Sequence, residues 1–537
     1  IDGFESVCGN NGLWLATREQ GDCGGREDSC TDARTSRSYI GCEYWPVDMA
    51  NAIEVWPLPP ENGVCDIPTA DPWVLRMDVP VCTNGTRHQG LCDFGNSCPD
   101  GFQCQMVPSC VLDAQNSDFA VVVSNPSNRT TATVRLIAPM GTELVEEVGP
   151  GEVAKLYPYR QGFADRSLTA TSRGRAFKLT SSNPIVAYQF NPLDNAGVFS
   201  NDGSLLLPSH ALDSVYFALT LPTLNRRPTA HAYSGYITIV ATAGGMTEVE
   251  VIPSAAIRAG EGQVDLPRAE PHRFTLSQGE ALSLAAAGRS DLTGTRIAAV
   301  DGRTPFAVFV GHESTLIAER ERVGQTDQLC CGDHVEEQLF PLSAWGRRFA
   351  IARSEPRSDL SRGGATAPDR LRILARQGDT LVTFEPEPIA GQCGRLVAGD
   401  YCDVYISRDT EVTANNPVLV GHMLLSTDGE LGDPALAFSV PIEQYREDYT
   451  FLVPDEYAQQ YASIVARVGQ AVSLNGQDIA ANMEPFGADF VSGRVPLQAG
   501  RHVLECGEGC GLLVYGYDEA VSYMFAGGLD LEPVVAQ

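Results

Sequence analysis

A chain of 537 residues, 43% of them hydrophobic, is too long for one core and divides into about three to five units that can each bury their own. Its net charge of −30 excludes nucleic acid as a partner, because phosphate binding requires a basic surface. No apolar run approaches the ~18 to 20 residues of a membrane helix, so no helical span is expected.

The chain opens at Ile1 with neither Met nor an apolar leader, and an export signal is expected to have been removed or to lie outside the numbering. Ten of the 16 Cys precede residue 111. The spacing resembling a zinc knuckle, Cys506-Gly-Glu-Gly-Cys510, has no second pair beside it, so the cysteines read as disulfides and place the chain in an oxidising compartment. Residues 1–37 form a Cys-containing N-terminal segment, and a first β unit takes 38–57 and 113–195. Residues 58–112 interrupt it as a disulfide-rich insertion carrying Cys65, Cys82, Cys92, Cys98, Cys104 and Cys110, EGF-like in the spacing from Cys92 to Cys104. Further along, Cys393 with Cys402 and Cys506 with Cys510 are close enough to staple hairpins. Adjacent Cys330 and Cys331 must either bond each other with strain or reach different partners.

Short runs of Val, Ile, Leu, Phe and Tyr recur between Gly, Pro, Asn and Asp clusters, which is an all-β pattern. Strands are expected at Phe119–Val123, Thr131–Ile137, Tyr236–Ala241, Thr247–Ile252, Leu371–Ala375 and Thr380–Glu385, with turns at Gly244-Gly245, Gln377-Gly378-Asp379 and Asn475-Gly476. An internal repeat sets a Pro eight residues before an aromatic: Pro208 to Tyr216, Pro341 to Phe349 and Pro441 to Tyr449. Upstream of each, a polar residue and a Pro precede an apolar run, at Asn183-Pro184, Thr304-Pro305 and Asn416-Pro417; a fourth apolar run follows Cys510. Second, third and fourth β units are therefore assigned to 196–313, 314–425 and 426–537. The expected fold is all-β, with tandem β-sandwich-like repeats and a disulfide-rich insertion; a β-propeller is the alternative.

The stretch Cys331-Gly-Asp-His334-Val-Glu-Glu-Gln-Leu-Phe-Pro341-Leu-Ser-Ala-Trp345-Gly346 resembles the N-terminal domain of the IgGFc-binding protein family. So do Ser38-Tyr-Ile-Gly-Cys-Glu-Tyr-Trp-Pro46, Asn183-Pro-Ile-Val-Ala-Tyr-Gln-Phe-Asn-Pro192 and Val514-Tyr-Gly-Tyr517, which are similar to its bacterial extracellular members. The resemblance spans residues 38 to 528 and implies an extracellular β-rich module used in adhesion, mucus or surface layers.

Among the histidines, His312 and His422 stand at equivalent repeat positions, and repetition is what shared packing produces. His334 lies beside Glu336 and Glu337, where a metal or acid/base site would be conceivable, but the segment reads better as a docking linker. Nucleophile-elbow, zincin-helix and P-loop spacings do not occur. Asn201-Asp202-Gly203 and Thr427-Asp428-Gly429-Glu430 could supply oxygen ligands to calcium, although Asp-Gly is first a turn signal. Trp14, Trp56 and Trp73 are candidates for glycan contact, with disulfide packing the plainer role. No catalytic, cofactor-binding or metal residue is assigned, and calcium is the one cofactor considered. The expected function is a secreted structural or adhesion protein, self-assembling into a surface layer or filament. A module binding glycans or host proteins at a cell surface or in matrix is the alternative, and a hydrolase the remotest.

Overall fold

A computed structural model describes residues 29–55, 74–92, 98–164, 167–194, 200–225, 232–260, 264–318, 332–359, 364–427, 431–455 and 457–534. Trp14, Trp56, Trp73, Cys65, Cys330, Cys331 and residues 428–430 of the second calcium candidate lie outside these.

The fold is all-β, as the patterning requires, and apart from one α-helical segment at Cys30–Ser36 its described helices are single 3-10 turns. Each strand named above is present within two residues of its expected bounds. Asn475 and Gly476 both have positive φ, at 53° and 75°, so the dipeptide makes the tight turn its sequence predicts.

Eight strands organise the rest as four antiparallel hairpins, each of a longer strand and a short one: β1 (Lys178–Asn191) with β2 (Asp202–Leu205), β3 (Ala307–Thr315) with β4 (Asp333–Gln338), β5 (Thr410–Leu424) with β6 (Ala435–Phe438), and β7 (Gly500–Asp518) with β8 (Val521–Ala526). Strand β1 serves two layers. Its first part pairs with Gly41–Tyr44 and Ala132–Ile137, its second with Ala120–Ser124 and β2. The division in β5 is the same: 410–414 pair with Gly346–Ile351 and Val382–Glu385, while 418–424 pair with Asp369–Ala375 and β6. In β7 it falls between Cys506 and Cys510, and in the second hairpin the strand is broken outright into Arg296–Ala299 and β3. These crossing points are where the sequence places Asn183-Pro184, Thr304-Pro305, Asn416-Pro417 and Cys510. A proline restricts its predecessor to extended backbone and withholds an N–H, so it suits a strand that leaves one ladder for another. In the fourth copy a Cys506–Cys510 disulfide spans the bend instead.

Three of the bends are gripped from the side by a tyrosine hydroxyl. Tyr44, which belongs to the strand opening the first copy, donates its hydroxyl to Ile185 O at 2.5 Å; Tyr216 donates to Phe306 O at 3.0 Å and Tyr449 to Cys510 O. The third copy has Phe349 there. The eight-residue interval from Pro to aromatic is thus explained: Pro208, Pro341 and Pro441 each precede a one-turn 3-10 helix, which delivers the aromatic onto the next sheet. Gly346 completes the lead-in, since a Cβ there would stand 2.2 Å from Pro441 Cβ; Gly41 bears the same relation to Pro208 at 2.4 Å.

The four short strands meet. β2 packs on β4 and β8, and β6 packs on β4 and β8, closing a ring about a common axis. That closure is the property shared with the β-propeller alternative, while the two-layered sheets around it are sandwich-like. One apolar core runs through the assembly, including Tyr188, Trp345, Phe438 and Phe525. The insertion contributes a sheet of Ile53–Val55, Val74–Thr83, His88–Leu91 and Gln103–Asp113, held by Cys82–Cys98 and Cys92–Cys104 disulfides. Cys393–Cys402 and Cys506–Cys510 are paired as their spacing predicts.

Candidate functional site

The axis is the most unusual place in the molecule, because the strands that meet there bury charge. Asp202, Asp333, Glu336, Glu337 and Asp433 are each at most 1% exposed, as are Asn201, Ser204, His334 and Ser522. The ladder explains part of this. Each short strand hydrogen-bonds its hairpin partner along one edge and turns the other to the axis, where its N–H groups require acceptors.

Side chains of the neighbouring strand supply them. Asp202 on β2 accepts from its own Gly203 N at 2.9 Å, from Glu336 N of β4 at 3.3 Å and from Met524 N of β8 at 3.3 Å. Ser204 accepts from Gln338 N at 2.8 Å and donates to Glu337 Oε2 at 2.9 Å. Asn201 N donates to Asp333 Oδ1 at 2.8 Å, and Asp433 N to Ser522 Oγ at 2.9 Å.

At one end of the ring the first copy thus contributes Asn201, the second Asp333, the third Asp433 and the fourth Ser522. The carboxyl groups of Asp333 and Asp433 face each other, and the Ser522 main-chain N–H lies against both. Burial, reinforced for Asp333 by the charge of Asp433, drives both carboxyls well above the ordinary range. Burial does the same to Asp202 and Glu337.

His334 and Glu336, singled out by sequence, do come together: His334 Nε2 is 3.3 Å from Glu336 Oε2, and Glu336 Oε1 accepts from Gln189 Nε2 at 3.2 Å. Both are wholly buried, so the segment read as a docking linker is instead an axial strand. His312 and His422 occupy matching places on β3 and β5 but differ in chemistry. His312 Nε2 is 3.1 Å from Pro222 O, whereas His422 Nε2 is 2.8 Å from Asp369 Oδ2. His422 also borders a narrow cleft with Tyr445 and Ser463, with its Nε2 already committed to that carboxylate.

Asn201 and Asp202, proposed from sequence as calcium donors, belong to this axis, but Asp202 is spent on three N–H groups. Sequence reasoning missed Asp333 and Asp433. A signal existed: Asp433 and Asp333 each stand eight residues before the repeat's Pro, at Pro441 and Pro341.

The family described as IgGFc binding protein matches residues 202–516. A human protein, IgGFc-binding protein, is 26% identical over 337 residues, which cover 60% of this chain and 6% of the relative. The chain therefore spans a small fraction of that protein. A solved structure, a tetra-tandem repeat in the extending region of a large adhesion protein, is 9% identical, covers 78% of this chain and 97% of its own, and has a TM-score of 0.09.

Proposed function

The chain belongs to the IgGFc-binding protein family, and from that premise we propose that it is an extracellular, non-catalytic module that binds other proteins through its outer surface. The observation that carries this reading is the extent of the family match, which runs from the first axial strand nearly to the end of β7 and so takes in most of the ring. The outer surface is the accessible part of the frame, because the titratable groups gathered on the axis are buried, and Asp202 there serves the frame's own N–H groups. Disulfides favour an oxidising compartment, and no helix among the described residues is long and apolar enough to cross a membrane.

The human relative is named for immunoglobulin Fc, so Fc is the first ligand to try, with mucin glycoproteins and a glycan array as further arms. Surface plasmon resonance with the immobilised chain gives the answer. Saturable binding to any protein arm sustains the proposal. Binding to deglycosylated proteins lost while free glycans bind would transfer it to a glycan ligand, and silence in every arm with self-association on sizing columns would favour the structural reading.

A further inference from the structure

We propose that the end of the axial ring holds a divalent cation, with calcium the ion its oxygen donors suit, ligated by Asp333 and Asp433 with the side-chain oxygen of Asn201.

Asp333 Oδ2, both carboxylate oxygens of Asp433 and Asn201 Oδ1 are buried without a well-formed hydrogen bond, and the Ser522 N–H is a single donor lying against two carboxyls. An unpaired buried acceptor is costly, and two carboxylates turned towards each other compound the cost unless a shared proton or a cation stands between them. The amide is an observation separate from the acids. Asn201 is 0% exposed, its main-chain N–H is taken by Asp333 Oδ1 and its Nδ2 by the Tyr457 hydroxyl, which leaves Oδ1 as an acceptor that receives nothing.

The Arg357 charge favours the ionised form of Asp433, but the guanidinium makes no bond to either carboxyl: its Nη2 donates to Leu425 O at 2.9 Å and its Nη1 stays unbonded. His334 is directed to Glu336. Asp202, committed to three N–H groups, adds a third buried carboxyl nearby. Two carboxylates, one of them able to bind through both oxygens, and an amide oxygen form a hard, all-oxygen set. Calcium accepts six to eight such ligands in irregular geometry, whereas magnesium demands a near-ideal octahedron. Because one donor comes from each of three hairpins, the ion would tie separate copies of the repeat together.

The test uses the full chain purified without chelator, then dialysed against metal-free buffer and assayed by elemental mass spectrometry. About one calcium per chain is expected, removed only by chelator in mild denaturant, with a fall in Tm that calcium reverses and equimolar magnesium does not. Asp433→Asn should bind at least tenfold less calcium and lose the calcium-dependent rise in Tm, while its chelated form melts no lower than the chelated parent. Asp301→Asn, on an exposed loop, should keep the full response. A parent chain that carries no calcium after dialysis and melts identically with calcium and with chelator overturns the proposal whether or not the variant folds. So does a folded Asp433→Asn that retains its calcium.

Discussion

Arg372 reaches from its strand, Asp369–Ala375, to Asp291, a residue of the preceding copy of the repeat, with Nη1 2.6 Å from Asp291 Oδ2. The same nitrogen donates to Thr220 O at 2.6 Å, and the rest of the guanidinium forks onto Asp403 at 2.8 and 2.9 Å, under the ring of Tyr401. Arg372 is 2% exposed, and burial, which would depress its pKa, is outweighed by the two carboxylates. Replacing it with Ala takes the cation from beside buried Asp291, while Asp403 keeps Arg370 at 2.6 Å, and should cost about 3 to 5 kcal/mol. Arg372→Met combined with Asp291→Asn should recover much of that loss, because Asp403 still pairs with Arg370, the Thr293 N–H keeps an acceptor and no charge is left unpaired. Urea unfolding measures both; an alanine variant within 1 kcal/mol (about the uncertainty of extrapolation) of the parent would show that the network contributes little.

The tyrosines at the bends make a graded comparison. Tyr44→Phe, Tyr216→Phe and Tyr449→Phe each leave a strand carbonyl without its donor, and each should destabilise by about 1 to 3 kcal/mol. The Tyr216 and Tyr449 changes also remove an acceptor for the N–H of Asp213 and Arg446, at 2.9 and 3.1 Å. Denaturation midpoints unchanged across the three would mean that water replaces the phenol.

Two buried groups should each take stability from the protein in acid, over different pH ranges. Burial, with the charge of His334 adding to it, pushes the His312 pKa from 6.5 down to about 4, against its hydrogen bond to Pro222. Above pH 6.5 the imidazole is neutral in both states and costs nothing. As pH falls from there towards 4, the unfolded chain takes up a proton that the folded one refuses, so stability falls by up to about 1.4 kcal/mol per pH unit. Asp369 acts lower. Burial would raise its pKa, but His422, Arg353 and the Ser354 N–H together hold it at about 2 against an ordinary 3.8. Its contribution is complete above the ordinary value and disappears as pH drops towards 2. His312→Gln should flatten the pH dependence between 6.5 and 4; a slope equal to that of the parent would exclude the histidine as its source.

Much of this architecture was visible in the residues. The eight-residue interval after Pro208, Pro341 and Pro441 is local, so a repeat search finds it, and the pre-proline positions announce the bends by restricting backbone. The axial ring was not visible, because β2 and β4 lie over a hundred residues apart and local pattern cannot say which edges of different copies meet. Glu336 and Glu337 misled for a related reason. Read alone they put the segment in a docking linker, yet they occupy the strand that in the next copy is Ala435–Phe438, where the apolar residues are buried.

Reductant should divide the molecule. Cys82–Cys98 and Cys92–Cys104 hold the sheet of the insertion, and each disulfide of such a small module contributes about 2 to 5 kcal/mol. The four hairpins bury a continuous apolar core instead. Limited proteolysis with mass spectrometry should find cleavage first within residues 74–113 under reductant, with 202–526 still resistant. Equal resistance with and without reductant would count against this division.

Trp345 closes the third lead-in, and its environment makes it the residue on which neighbouring copies lean. It is 2% exposed, caps the 3-10 turn Leu342–Ala344, and donates Nε1 to Phe340 O at 3.2 Å. That turn is held from several sides: Arg376 donates to Leu342 O at 3.1 Å, Gln444 to Ala344 O at 3.3 Å, and Val534 N to Ser343 O at 2.8 Å. Phe340 meets Phe438 of β6 edge-on at 5.5 Å, so the lead-in touches the following hairpin as well as its own sheet. Trp345→Ala would open a large cavity at this junction and should cost about 3 to 5 kcal/mol, whereas Trp345→Phe fills most of it and loses chiefly the indole hydrogen bond, for about 1 to 2 kcal/mol. Thermal unfolding should show this order, and proteolysis of the alanine variant should begin near residues 340–349 and 435–444, leaving the sheet around Cys82–Cys98 intact. If the alanine variant melts and digests like the parent, the lead-in carries no load, and the surface around it becomes the better place to look for a bound partner.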